Sequence, residues 1–212
     1  MKHILRSSVM LAAMAAAGLL TCAGQSSGAA KAATSTPRAF DLGVTYTAKV
    51  AKISNLSSSD FVLQGASVDG VYWLNQNRAR LHNLGAAFDF SAEAKSNVAP
   101  GVNLHQVSLV AGPRYTVWHA KGSKPGPNIY GQALAGFVHA SQGIFPAGQN
   151  TTKSSATSFA LQTGGGLNVP IGATVSVRVA EIDYVMTHLP NNADTYQGDM
   201  RFSAGIVFRL DK

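Results

Sequence analysis

Met200-Arg201-Phe202-Ser203-Ala204-Gly205-Ile206-Val207-Phe208-Arg209-Leu210 repeats with a period of two. Met200, Phe202, Ala204, Ile206, Phe208 and Leu210 fall on one phase, and Arg201, Ser203, Gly205, Val207 and Arg209 on the other. Successive side chains of a strand point to opposite faces, so the stretch predicts a strand with one apolar face. Its second face is small or cationic, and that face carries the information about architecture.

The same alternation recurs upstream. Phe40, Leu42, Val44, Tyr46, Ala48 and Val50 alternate with Asp41, Gly43, Thr45, Thr47 and Lys49. Leu84 to Ala92 and Gln106 to Val117 repeat the pattern, and Phe61–Leu74, Ile129–His139, Ser158–Val169 and Ala173–Tyr184 fit it less cleanly. In the last of these, Glu181 and Asp183 fall on the apolar phase unless a bulge near Ala180 returns Arg178, Glu181 and Asp183 to one face. Eight strands are therefore expected and no helix period is found. Residues 51–60, 93–101, 143–157 and 187–196 are polar and read as loops at one end. Residues 75–83, 121–128 and 169–172 read as shorter turns at the other.

Eight half-apolar strands suit a sandwich, a soluble lipocalin-like barrel or a membrane barrel. A water-exposed surface usually carries ~25–35% charged residues, and this chain has 13% overall. Its less apolar face is Gly, Ala, Ser, Thr and Gln with isolated charges at Asp41, Lys49, Asp69, Asp89, Arg114, Arg178, Arg201 and Arg209. Small residues and paired charges suit the inside of a narrow barrel. The apolar face then meets lipid, which a strand of ~9–11 residues can cross. Closure follows, because an open edge in lipid leaves backbone groups unpaired. Phe40, Phe61, Tyr72, Trp73, Phe90, Tyr115, Trp118, Tyr130, Tyr184 and Phe208 are the candidates for interfacial girdles. The expected fold is all-β: an eight-stranded antiparallel up-and-down transmembrane β-barrel following a signal peptide.

The N-terminus reads as a separate segment. Lys2 and Arg6 precede an unbroken run from Val9 to Leu20 of Val, Met, Leu, Ala and Gly. This run suits a secretory h-region and is too short to span a bilayer. Small residues follow at Thr21, Cys22 and Ala23, so residues 1–23 are expected to be a signal peptide, with cleavage as late as 32 left open. Leu19-Leu20-Thr21-Cys22 also resembles a lipobox. Residues 24–38 read as a flexible linker and 39–212 as the barrel. The formal charge is +7; losing Lys2 and Arg6 leaves +5, which favours anionic partners. One Cys excludes a disulfide framework and a thiolate zinc site.

The closing stretch resembles the terminal strand of small bacterial outer-membrane barrels. Ala111-Gly112-Pro113-Arg114-Tyr115 and Arg178-Val179-Ala180-Glu181-Ile182-Asp183-Tyr184 are also similar to the OmpA/OmpX-like outer-membrane family, and the resemblance runs from Phe40 to Leu210. It implies location in the outer membrane of a Gram-negative cell. It also implies that Phe202, Ile206, Phe208 and Leu210 form the signal read by the barrel-assembly machinery. Expected partners are that machinery, outer-membrane lipid and lipopolysaccharide. Nucleic acid is not expected, nor is a cofactor or metal, and the barrel is expected to be a monomer.

Chemistry-bearing motifs are sparse. Nucleophile-elbow, phosphate-loop and His-Glu-x-x-His patterns are absent from the sequence. His139-Ala140-Ser141 resembles the His-x-Ser pair of outer-membrane lipid A deacylases, but residues 142–158 hold no carboxylate to orient the His. No catalytic residue is therefore expected. Arg114, Arg178, Arg201 and Arg209 are expected to pair with Asp41, Asp89, Glu181 and Asp183 and to plug the lumen. The alternatives are a narrow porin-like channel, a lipid A-modifying enzyme and the soluble lipocalin-like barrel.

Overall fold

The computed structural model describes residues 38–52, 60–74, 83–99, 102–120, 126–146, 152–190 and 196–211. The leader at 1–23, and the linker up to residue 37, lie outside the described residues. Eight strands follow in chain order: β1 (Arg38–Lys52), β2 (Asp60–Trp73), β3 (Leu84–Ala99), β4 (Val102–His119), β5 (Asn128–Pro146), β6 (Thr152–Pro170), β7 (Val175–Thr187) and β8 (Gln197–Asp211). Each pairs antiparallel with the next, and β1 pairs with β8, closing the barrel.

Closure sorts the two phases of every strand. Val44, Tyr46, Leu109, Phe137, Phe202, Ile206, Phe208 and Leu210 stand outside and exposed, whereas Asp41, Thr45, Thr47, Asp69, Asp89, Arg114 and Arg201 are buried inside. The lumen is thus polar and the exterior apolar, the reverse of a soluble barrel. The bulge expected in β7 is present. Leu167 faces Ala180 while Asn168 faces Arg178, so Val179 and Ala180 both point out and Arg178, Glu181 and Asp183 all point in.

Three expectations need correction. Residues 93–101 and 143–157 were expected to be loops, but β3 runs to Ala99, β5 reaches Pro146 and β6 begins at Thr152. Beyond the membrane a hairpin still gains from its backbone ladder, so strands continue where apolar alternation stops. Trp73 and Tyr130 do not belong to the girdle: both are buried inside. Each sits on the inward phase of its strand, and each has a polar tip that finds a partner there. The strand begins at Arg38, one residue inside the expected linker.

Candidate functional site

Among the described residues, the lumen gathers the buried charged side chains. Asp69 on β2 lies at its centre. It accepts hydrogen bonds from Arg178 Nη1 at 2.7 Å and Nη2 at 2.9 Å, and from Arg114 Nη1 at 2.9 Å. The Arg178 contact is a two-point guanidinium–carboxylate pair, the geometry that fixes orientation as well as charge. Because β2 is three strands from β7, this pair bridges the lumen.

Arg201 on β8 joins the other acids. It donates to Asp89 Oδ1 at 2.9 Å and Oδ2 at 3.2 Å, and to Asp183 Oδ2 at 3.1 Å. Glu181 lies among three guanidinium groups, 3.1 Å from Arg178, 3.6 Å from Arg201 and 3.8 Å from Arg114. It also accepts a hydrogen bond from the Tyr130 hydroxyl. Gln132 ties the two groups together: its carbonyl oxygen accepts from Arg114 and its amide donates to Asp183 at 2.9 Å. Tyr130 supports them from the side, its ring centroid 4.4 Å from the Arg114 guanidinium carbon.

Room for this network comes from missing side chains. A Cβ at Gly43 would lie 2.2 Å from Asp69 Oδ1, and one at Gly164 would lie 2.4 Å from Asp183 Oδ1. At Gly166 it would meet the Tyr130 hydroxyl at 2.6 Å. The glycine run at 164–166 is therefore a strand thinned to admit the charges.

Of the expected network, Asp89, Arg114, Arg178, Glu181, Asp183 and Arg201 come together. Asp41 and Arg209 face each other across the β1–β8 pair, and Asp41 accepts from Trp73 Nε1 at 3.0 Å. Asp69, Tyr130 and Gln132 were not foreseen as members, although Asp69 sits on the polar phase. A second ion pair was also missed: Lys49 meets Glu93 at 2.6 Å and donates to Gln106. The signal for Glu93 was there, since it continues the phase of Asp89 and Ser91.

Apolar side chains fill the lumen beside the charges. Val138, Ala140, Phe145, Ala160 and Leu189 pack together at the end where β5 meets β6, with Leu104 and Ala156 against them, in a cluster that continues through Val110 and Leu134 to Ala87, Val71 and Trp73. Leu189 follows β7 and is 1% exposed. Its segment is held by the His188 amide, which donates to Ser158 Oγ at 2.9 Å. Between the charged and apolar layers lies a cavity of about 10 Å³, lined by Lys49, Glu93, Arg201, Val138 and Ala160 among others. That is room for about one water.

His139 is exposed on the outer wall, where its Nδ1 lies 2.8 Å from Thr157 Oγ1. Glu181, Asp183 and Asp89 are buried on the opposite side of that wall. The fold therefore separates the His-x-Ser pair from the carboxylates that could have completed a triad.

No family model and no curated protein sequence matches the chain. Solved structures do. Neisserial surface protein A is 17% identical with a TM-score of 0.56, covering 81% of this chain and 97% of its own. Ail, the attachment invasion locus protein of Yersinia pestis, solved with the heparin analogue sucrose octasulfate, is 15% identical with a TM-score of 0.50, covering 81% and 99%. The chain has the fold of the small eight-stranded bacterial outer-membrane barrels.

Proposed function

We propose that the protein is a non-catalytic outer-membrane barrel whose lumen is closed by charged side chains and whose external end serves surface interaction. The observation that carries this reading is Asp69. It binds arginines from two other strands at once, and the guanidinium groups of Arg114 and Arg178 occupy the space a solute would need. Eight strands enclose an interior that side chains just fill. Export through residues 1–23, and recognition of Phe202, Ile206, Phe208 and Leu210 by assembly machinery, belong to the same proposal. All four of those side chains stand outward on β8, where a partner can read them.

The surface role is supported by strand length. β4, β5 and β6 have 18, 19 and 19 residues, against the ~9–11 needed to cross. The excess stands beyond the apolar belt as paired strand, a firm platform for contacts with lipopolysaccharide or other surface partners.

Planar-bilayer recording of the purified full chain tests the closed lumen. Silence is the expected outcome. Steady, ohmic conductance would favour the narrow-channel reading. Heat-modifiable migration after membrane extraction checks the barrel itself.

A further inference from the structure

We infer that the lumen binds one ordered water molecule between Glu93 and Arg201, and that this water joins the Lys49–Glu93 pair to the Arg201 centre. The site lies wholly inside the barrel and stands whether or not the external end meets a partner.

Each of the two residues has one polar atom over. Glu93 gives Oε2 to Lys49 at 2.6 Å, and its buried Oε1 has no hydrogen-bond partner among the protein groups. Arg201 commits both terminal nitrogens to Asp89 and Asp183, and its buried Nε likewise has none. One atom is an acceptor and the other a donor. Both residues are fully buried, and both line the cavity of about 10 Å³. Ser91 and Ser108 line it too, their hydroxyls 2.7 Å apart. Buried polar atoms left unpaired are costly, so nearly all of them find a partner in protein or in ordered water.

The surrounding charges select the occupant. Lys49 and Arg201 are Cα partners across β1 and β8, and Lys49 also borders the cavity. A cation placed there would be repelled by both. An anion would meet the Glu93 carboxylate. A neutral molecule that accepts from Arg201 Nε and donates to Glu93 Oε1 fits both orphans at once, with a serine hydroxyl as a third partner. The volume admits about one water, and cavities that stay dry have wholly apolar walls. Lys49, Glu93 and Gln106 form one hydrogen-bonded group, and Arg201, Asp89 and Asp183 another. A bridging water joins the two through bonds nearly as favourable as direct ones.

The test is a crystal structure of the folded full chain at a resolution that orders water, with rubidium and bromide soaks beside it. One peak is expected within ~2.7–3.2 Å of both Glu93 Oε1 and Arg201 Nε, with no anomalous signal from either soak. Solution NMR of the isotope-labelled chain in phosphatidylcholine nanodiscs checks the same site in a bilayer. The Arg201 Nε–H should show a water cross-peak whose sign reverses in the rotating frame, as a through-space contact does and proton exchange does not. Ser91→Ala and Ser108→Ala should each keep that cross-peak, which excludes relay through a hydroxyl. Ala160→Val, which fills the cavity from a lining position, should lose it. The inference is overturned by the absence of the peak, by an anomalous ion in its place, or by an Arg201 Nε–H bonded to a protein acceptor. A cross-peak lost in both serine variants, or surviving in Ala160→Val, overturns it as well. Heat-modifiable migration shows which variants fold, and the native chain alone decides the matter if Ala160→Val does not.

Discussion

The lumen is occluded in two ways, by an ion network around Asp69 and by an apolar cluster that runs beside it from Trp73 to Leu189. In the centre, Asp69, Glu181, Asp183 and Asp89 hold Arg114, Arg178 and Arg201 through hydrogen bonds and ion pairs, with Glu181 Oε1 and Arg201 Nε left without a hydrogen-bond partner. Beside them, Val138, Ala140, Phe145, Ala160 and Leu189 do it by packing. The difference teaches what each kind of plug is good for. A buried ion network often adds little net stability compared with an apolar core of the same volume, but it is strongly damaged by the loss of one partner. An apolar layer degrades in proportion to the volume removed. The first fixes one arrangement of strands around the axis. The second fills the lumen beside the ions.

The sharpest way to break the comparison is Asp69→Asn. It removes the carboxylate that Arg114 and Arg178 share and leaves Glu181 alone against both, and should cost ~3–5 kcal/mol. Equilibrium unfolding in vesicles, followed by heat-modifiable migration, measures it. A loss below about 1 kcal/mol would show that Glu181 takes over both guanidiniums and that the centre is not organised by Asp69. Leu189→Ala attacks the other layer. Leu189 is fully buried but its segment is a connection that can settle inward, so about 2–3 kcal/mol is expected, at the low end for a buried leucine. Neither variant alone should conduct ions in a planar bilayer, because the layer left intact still blocks the path. Conductance from Leu189→Ala alone would show that the ionic layer is permeable and that the apolar layer is the real closure.

The two layers were also unequally readable from sequence. Charges on a two-residue period reveal themselves: Arg114, Arg201 and Arg209 each stand alone among small or apolar residues. Even the β7 bulge could be inferred, because Arg178, Glu181 and Asp183 otherwise face opposite ways. The apolar layer leaves no such mark. β5 is apolar on both phases from Ala133 to Val138, so nothing local tells Leu134 and Val138, which point in, from Phe137, which points out. Tyr130 was hidden for the same reason: an aromatic near a strand end suits a girdle or a lumen equally until the phase is fixed. Glu93 was lost because a polar extension of a strand outside the membrane has the composition of a loop. Partner choice within the network was out of reach as well. Asp69 lies 109 residues from Arg178, and only barrel closure brings the two together.

Gly166→Ala sharpens the ionic side. A methyl there meets the Tyr130 hydroxyl at 2.6 Å and the Ala180 carbonyl oxygen at 2.9 Å. The phenol must withdraw from Glu181, and overpacking of this kind costs ~1–3 kcal/mol. Combining it with Tyr130→Phe, which removes the hydroxyl, should recover part of the loss; purely additive losses would mean that the Ala180 carbonyl carries the clash.

The smallest effect is expected outside both layers, at Ser141→Ala. Ser141 is half-buried on the outer wall of β5 and its neighbour His139 is exposed there. Nothing in the lumen leans on either. A surface substitution of this kind stays within about 0.5 kcal/mol, so the unfolding midpoint should not move. The same variant bears on chemistry. A serine nucleophile needs a base within ~2.6–3.2 Å and an acid holding that base. The described partner of His139 is the hydroxyl of Thr157, a group that can orient the ring but cannot stabilise an imidazolium as a carboxylate does. Glu181 and Asp183 are committed to arginines inside the barrel and are separated from His139 by its wall. Lipid A extracted from cells expressing the native chain should therefore match, by mass spectrometry, the lipid A of cells expressing Ser141→Ala. Loss of one acyl chain with the native protein, and its restoration in the variant, would turn this barrel into an enzyme working on the lipid that surrounds it.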